Sequence, residues 1–457
     1  MRKFTKTTMI SLAVSLVLTS GSALAKITAE EAKKLGNELT PMGAEQKANA
    51  DGSIPEWTGG ITKAPEGYVV GQHHVDPFAA DKSLFTITSK NLNDYKGNLT
   101  PGQIKLFETY PDTYSMNVYQ TRRSASFPTH VYDAVKENST RAELVEEGNG
   151  ITQASVGIPF PIPETGLEAI WNHILRYRGE QVKREGGQVS PTASGDYTYL
   201  GFEESLILPY NVQGAKPETL QETNILFKFK QKVTEPARLA GTALLVHETM
   251  DQIKTPRQAW TYNTGQRRVR RAPNVAYDTP GTASDGLRTT DDFDMYNGAP
   301  DRYTWELKGK QELYIPYNDY RLHSNELKYE QILQPGHINP QYVRYEKHRV
   351  WVVEAKLKSS TRHTYKKRVF YIDEDSWQVA VTDIYDNRDE LYRVGVAHGL
   401  NYYEVPTQWS TLEVFHDLQS RRYIAMGLDN EANMYDFKTE QSDSDFTPSA
   451  LRREGRR

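Results

Sequence analysis

Arg344 to Lys358 reads RYEKHRVWVVEAKLK, and the character of its side chains alternates. Tyr345, Trp351, Val353, Ala355 and Leu357 have one parity, and Glu346, His348, Glu354, Lys356 and Lys358 have the other. Successive side chains of a strand point to opposite faces, so a period of two marks a half-buried strand. Ile225, Phe227, Phe229 and Val233 repeat the pattern against Lys228, Lys230 and Lys232. Further strand candidates are 197–208, 243–248, 258–271, 305–314, 366–372, 378–385, 400–405, 411–416 and 422–426. Turn signals separate them, and Asp373-Glu374-Asp375 reads as a hairpin turn. Short spacings favour antiparallel neighbours. The expected fold class is therefore mainly β (α+β), a large antiparallel sheet with one wet face and helices on the other.

Upstream of the strands the period changes. Thr28 with Glu31, Thr100 with Gln103 and Thr165 with Glu168 are capping boxes, each announcing a short helix. After the third, Ile170, Trp171, Ile174 and Leu175 recur at helical spacing, so one face must pack on something. The expected organisation is a helical, loop-rich arm over 26–194, the sheet over 195–428 and a polar, loose tail over 429–457.

The N-terminus carries Arg2, Lys3 and Lys6, an apolar run from Met9 to Leu18, and Ser22-Ala23-Leu24-Ala25. These are the three parts of a secretory signal peptide, residues 1–25, with cleavage after Ala25. The run falls short of the roughly 20 residues that a spanning helix needs. No cysteine follows it, so no lipoprotein anchor is expected, and the mature chain is read as a protein of the Gram-negative periplasm. Cleavage removes three basic residues from 55, leaving 52 against 59 acidic ones, a formal charge of −7. That balance argues against a nucleic-acid partner. With 0 cysteines, disulfides, thiol catalysis and zinc-thiolate sites are excluded.

Enzyme signals are largely missing. The chain has no GxSxG, P-loop or GxGxxG pattern, so neither a catalytic residue nor a cofactor is assigned. His247-Glu248-Thr249-Met250-Asp251 departs from a zincin helix at its last position and sits in strand-like sequence. Asp291, Asp292 and Asp294 fail the spacing of a calcium loop, and no metal is assigned. His73-His74 reads as a surface loop. Arg267, Arg268, Arg270 and Arg271 cluster on an acidic protein and form a local positive field, a candidate docking or headgroup patch. Their alternative is pairing with the Asp-rich stretch 285–294.

Four stretches carry a resemblance. They are LTPMGAEQKANADGSIPEWTGG (39–60), GIPFPIPETGLEAIWNHILRYRG (157–179), DDFDMYNGAPDRYTWELKGKQELYIPYN (291–318), and RYEKHRVWVVEAKLK continued by KKRVFYIDEDSWQVAVTDIYDNRDELYRV, ending at Val394. They resemble a proteobacterial family, domain of unknown function 1329, described as outer-membrane lipoprotein-sorting-like. The resemblance implies a fold similar to the periplasmic lipoprotein carriers LolA and LolB, in which a curved antiparallel sheet forms an open half-barrel and helices plug its concave side. It also implies association with a resistance-nodulation-division-type inner-membrane transporter and an outer-membrane-associated partner.

The leading functional expectation is a non-enzymatic carrier or chaperone for lipid or another hydrophobic compound. Its ligand would contact the face bearing Ile225, Phe227, Phe229, Trp351 and Val353. Two alternatives stand beside it. One is an envelope polysaccharide- or lipid-modifying hydrolase using Asp291, Asp292 and Asp294, and the other is a ligand-free structural adaptor of a transporter assembly.

Overall fold

The computed structural model describes residues 27–455 except 273, 274 and 276. The signal peptide expected over 1–25 and the expected mature start at Lys26 lie outside these residues.

Four short strands come first: β1 (Phe85–Ile87), β2 (Met116–Val118), β3 (Glu143–Val145) and β4 (Gly150–Thr152). A first meander follows, comprising β5 (Gln181–Val189), β6 (Leu200–Ile207), β7 (Ile225–Val233), β8 (Ala243–Thr249), β9 (Gln258–Asn263) and β10 (Arg268–Arg271). The second comprises β11 (Tyr303–Pro316), β12 (Tyr345–Leu357), β13 (Lys367–Asp373), β14 (Val379–Tyr385), β15 (Leu391–Tyr402), β16 (Thr407–Asp417) and β17 (Arg422–Leu428). The helices are α1 (Ala29–Ala32), α2 (Pro101–Thr109), α3 (Thr129–Arg141), α4 (Gly166–Leu175), α5 (Pro217–Thr223), α6 (Tyr329–Ile332) and α7 (Pro448–Glu454).

Within each meander, neighbours in sequence pair antiparallel. The two meanders join where β17 pairs with β5, through Ala425 with Val189, Met426 with Gln188 and Leu428 with Gly187. β10 and β11, two strands consecutive in sequence, are free edges paired on one side only, while β2 and β1 extend the sheet from the start of β12 through Tyr345 with Val118. The sheet does not close, and the chain is mainly β in an open half-barrel. Of the chain between these two free edges, residues 277–302 are described throughout.

Local chemistry explains the helices that cover it. Thr100 and Gln103, like Thr165 and Glu168, form both halves of their capping boxes at the starts of α2 and α4. Gly166 lets α4 approach the edge strand, since a Cβ there would lie 2.8 Å from the backbone nitrogen of Glu306. On this inner side Trp171 and Ile174 join one apolar cluster with Val353, Phe370, Leu400 and Phe415. Trp171 Nε1 donates to Gly148 O at 2.8 Å, so its polar atom is satisfied while the ring is buried.

The outer side departs from the expected wet face. Leu106 and Phe107 of α2 pack in a second cluster with Val350, Val352, Val394 and Val414. Glu346 and His348 are buried, 0% and 1% exposed. Alternation reports which residues share a face; it does not report whether a distant segment covers that face. β5 also lies within the stretch expected as an arm, at the centre of the sheet. The tail is packed rather than loose: Phe446 and Leu451 are buried with Leu245 and Tyr262.

Candidate functional site

The segment between the free edges is locally unusual. Thr289 and Asp292 cap a short helical turn, after which Asp294 (φ 53°) and Met295 (φ 65°) are both left-handed. Two such non-glycine residues in succession persist only where their surroundings over-determine them. Here the surroundings are ionic. Asp294 accepts hydrogen bonds from Arg176 and Arg178, which follow the end of α4, and from Trp409 Nε1 at 3.2 Å. Burial would raise its pKa, but the two guanidiniums hold it below the usual carboxylate range. Burial also lowers the Arg178 pKa to about 10. His173 is neutral, its pKa lowered to about 3 by burial and by Arg176. Its Nε2–H donates to Asp294 O at 2.8 Å, and Nδ1 accepts from Val379 N at 3.1 Å.

Asp291 and Asp292 are held in the same way. Asp291 meets His363 at 3.0 Å and Arg368 at 2.8 Å, while Asp292 accepts from Tyr365 at 2.8 Å and Thr289 N at 2.8 Å. Their neighbours engage these carboxylates, although Asp292 Oδ1 accepts no hydrogen bond and has only the Arg368 guanidinium at 3.9 Å, and at 1% exposure neither faces an open cleft as glycoside hydrolysis requires.

Beside Asp294 lies a cavity of about 70 Å³, at the seam where β17 meets β5. Its backbone wall is Gly186, Gly187 and Gly427, and its rings are Phe202, Phe293, Trp409 and Tyr435. Arg184 pairs with Glu204 and stands 5.1 Å over the Trp409 ring. Glu413 accepts from Ser410 at 2.8 Å, and burial with Asp294 nearby raises its pKa to about 7. Arg288 donates to Thr289 O at 3.3 Å, its Nε has no partner, and it makes no ion pair among the described residues. Arg184, Glu185 and Glu204 also line a wider polar groove of about 650 Å³.

The residues expected to contact ligand are only partly brought together. Phe227, Phe229 and Val353 are buried in the inner cluster at 2%, 6% and 0% exposure. Trp351 flanks that cluster and stacks on Trp377 at 6.2 Å. Ile225 lies outside it, because a bulge between Ile225 and Phe227 breaks the alternation. None of the five lines the cavity; protein atoms fill the face, with Phe293 set on Phe229 at 5.4 Å.

Arg267, Arg268, Arg270 and Arg271 are exposed at the turn into β10 and along it, the free edge. Pairing with 285–294 does not occur: Asp285 pairs with Arg422, and the other three aspartates are engaged as described. His74 is buried rather than on a surface loop, between His323 at 3.1 Å and Glu404 at 2.8 Å. Spacing does not reveal it, because both partners lie far away in sequence.

Among the described residues, His348, Asp373 and Asp375 place ligand atoms within 4.8 Å of one another. Arg123 already clamps both oxygens of Asp375, at 2.9 and 2.6 Å, so a guanidinium serves where a cation would sit. The cavity residues Arg184, Glu204, Arg288 and Glu413 were not legible beforehand. The one available signal was the charge pair Arg176 and Arg178 directly after a helix otherwise apolar over most of its length.

A family model described as "Protein of unknown function (DUF1329)" matches residues 86–452. An uncharacterized protein of Pseudomonas aeruginosa is 52% identical over 445 residues, 97% of each chain. Among solved structures, the chain is similar to a putative outer membrane lipoprotein-sorting protein domain from Vibrio parahaemolyticus. That match has 14% identity and a TM-score of 0.43, covering 63% of this chain and 98% of the other. A DUF1329 family protein from Desulfovibrio piger matches at 14% identity and TM-score 0.41, over 60% and 92%. A LolA superfamily protein from Nitrosomonas europaea matches at 12% and 0.37, over 62% and 98%.

Proposed function

The chain belongs to the DUF1329 family, and we propose that within it this protein is a periplasmic, non-enzymatic carrier of lipid or another hydrophobic compound. One observation carries the reading. The apolar inner wall of an open sheet is covered by α4 and, beside it, by the segment between the sheet's two free edges, which rests Phe293 on Phe229. Displacing Phe293 uncovers Phe229 and opens a way into the cluster that holds Phe227 and Val353.

The energetics suit reversible loading. A 16-carbon chain gains roughly 13 kcal/mol on leaving water, at about 0.8 kcal/mol per methylene, and a membrane offers a similar gain. Transfer between the two is therefore nearly neutral, and a docking contact sets its direction. The exposed arginines of β10 supply that contact, to phospholipid headgroups or to an acidic partner. The resemblance adds a resistance-nodulation-division-type transporter and an outer-membrane-associated partner as the assemblies served.

Because the chain has 0 cysteines, a pair introduced as Phe229→Cys and Phe293→Cys can be tethered selectively by a bis-methanethiosulfonate spacer, which bridges the gap left by the two rings and is released by reductant. Lipid co-purifying with the untethered protein, identified by organic extraction and mass spectrometry, should vanish on tethering and return on reduction. Equal lipid content in both states, or none in the wild type, would overturn the reading.

A further inference from the structure

The cavity at the β17–β5 seam is lined by two guanidiniums, Arg184 and Arg288, and by four carboxyl groups, Glu185, Glu204, Asp294 and Glu413. Arg184 pairs with Glu204, Asp294 is held by Arg176 and Arg178, Glu185 accepts from Asn433, and burial raises the Glu413 pKa to about 7, so that it is uncharged at lower pH. Arg288 faces the cavity without an ion-pair partner among the described residues, and its buried Nε donor is unused. A buried donor without an acceptor is costly, so such a group points to an acceptor that arrives from outside. The space of about 70 Å³ suits a phosphate- or carboxylate-sized group, and the polar groove that shares Arg184 and Glu204 gives it an approach.

Phe293 links this cavity to the apolar wall. Its ring lines the cavity and also packs on Phe229, while Arg178 stands over Phe227 at 6.0 Å and Trp409 at 5.9 Å. The left-handed pair that follows it, Asp294 and Met295, leaves this stretch as a strained connection rather than a continuous helix.

Resting on the carrier reading, we propose that the seam cavity binds the oxyanion headgroup of an amphiphilic cargo, a phosphate or carboxylate held by Arg288 and Arg184. Phe293 is the gate whose movement lays the acyl chain along Phe229 and Phe227. The cargo is thereby an anionic amphiphile, distinguished by its head from neutral and cationic ones.

The test is titration of the purified mature protein with dodecyl phosphate, dodecanoate, dodecyl maltoside and dodecyltrimethylammonium below micelle formation, and with inorganic phosphate alone. Native mass spectrometry reads stoichiometry and calorimetry reads affinity. Both anionic amphiphiles should bind one to one, at least tenfold more tightly than the neutral, the cationic or free phosphate. Arg288→Met should erase that preference and leave dodecyl maltoside unchanged. Arg288→Lys, which keeps the charge, should retain part of the preference and guards against misfolding of the first variant. Equal binding of all four amphiphiles, or no effect at Arg288, overturns the headgroup site and leaves the carrier reading standing. Inorganic phosphate binding as tightly as dodecyl phosphate assigns the cavity to a free oxyanion and overturns the headgroup. Failure of every amphiphile sinks the carrier reading itself.

Discussion

Phe293 lies on Phe229 with ring centroids 5.4 Å apart and planes tilted by 48°. One ring belongs to the segment between the sheet's free edges and the other to β7, so the contact measures how firmly that segment is seated. Phe293 is partly buried, whereas Phe229 is 6% exposed. Phe293 thus shields the wall without itself being sealed in, while its neighbours Asp292, Asp294 and Met295 are buried and hold the segment in place.

The wall behind it is tightly buried. Phe227 is 2% exposed, so Phe227→Ala should destabilise the unloaded protein by about 3–5 kcal/mol. Val353, 0% exposed, has no room for growth, and Val353→Trp should overpack it and cost about 1–3 kcal/mol. Urea denaturation with unchanged m-values checks both. Losses below 1 kcal/mol would mean that the wall is already loosely packed.

The arginine patch should behave in the opposite way. Arg267, Arg268, Arg270 and Arg271 are exposed on an edge strand, where charges contribute about 0–1 kcal/mol each at most. Changing all four to Ser should leave the melting temperature within a few degrees of wild type. Co-sedimentation with anionic vesicles should drop severalfold at low salt, because headgroup attraction is screened by ions. Unchanged sedimentation would remove the membrane role.

What the sequence disclosed was local. Capping boxes at Thr100 and Thr165 join residues three apart, and alternation on β7 and β12 needs only its own strand. β5 stayed hidden because QVKREGGQV places two glycines and three charges where a period of two would show. Its burial comes from pairing with β17, more than 200 residues downstream. The covered face of Glu346 and His348 and the Arg176–Asp294 pair, 118 residues apart, are long-range in the same sense. Ion pairs inside the half-barrel have no signature in spacing.

That pair makes its own prediction. Asp294→Asn would leave Arg176 and Arg178 buried without a counter-charge, and breaking a buried pair costs about 3–5 kcal/mol. The loss should exceed that of Asp285→Asn, whose partner Arg422 is near the surface at 26% exposure. Thermal melts of the two variants side by side check the order. Equal losses would show that the interior network is not the anchor of the segment.

Glu413 ties stability to pH. Its pKa rises from 4.5 to about 7 because its carboxyl is largely buried, with Asp294 close by, although Ser410, Arg184 and Arg176 act to lower it. Between those values the folded protein keeps a proton that the unfolded chain has released. Stability therefore falls as pH rises through the window, and the loss is complete above about 7. The buried histidines His173 and His416, both lowered to about 3, act oppositely: their contribution is lost as pH falls below 6.5. Asp373 and Asp383, raised to about 6, slope in the same direction as Glu413. The whole-protein curve mixes all of these, so the difference between wild type and Glu413→Gln is the informative quantity. Gln can still accept from Ser410 and carries no charge at any pH. The variant should gain about 2 kcal/mol relative to wild type between pH 4.5 and pH 8, a figure scaled down from the full shift because Glu413 is partly exposed. Urea unfolding at pH 4.5, 6 and 8 measures it. Parallel curves for the two proteins would mean that Glu413 titrates alike folded and unfolded, and that the cavity does not hold its proton.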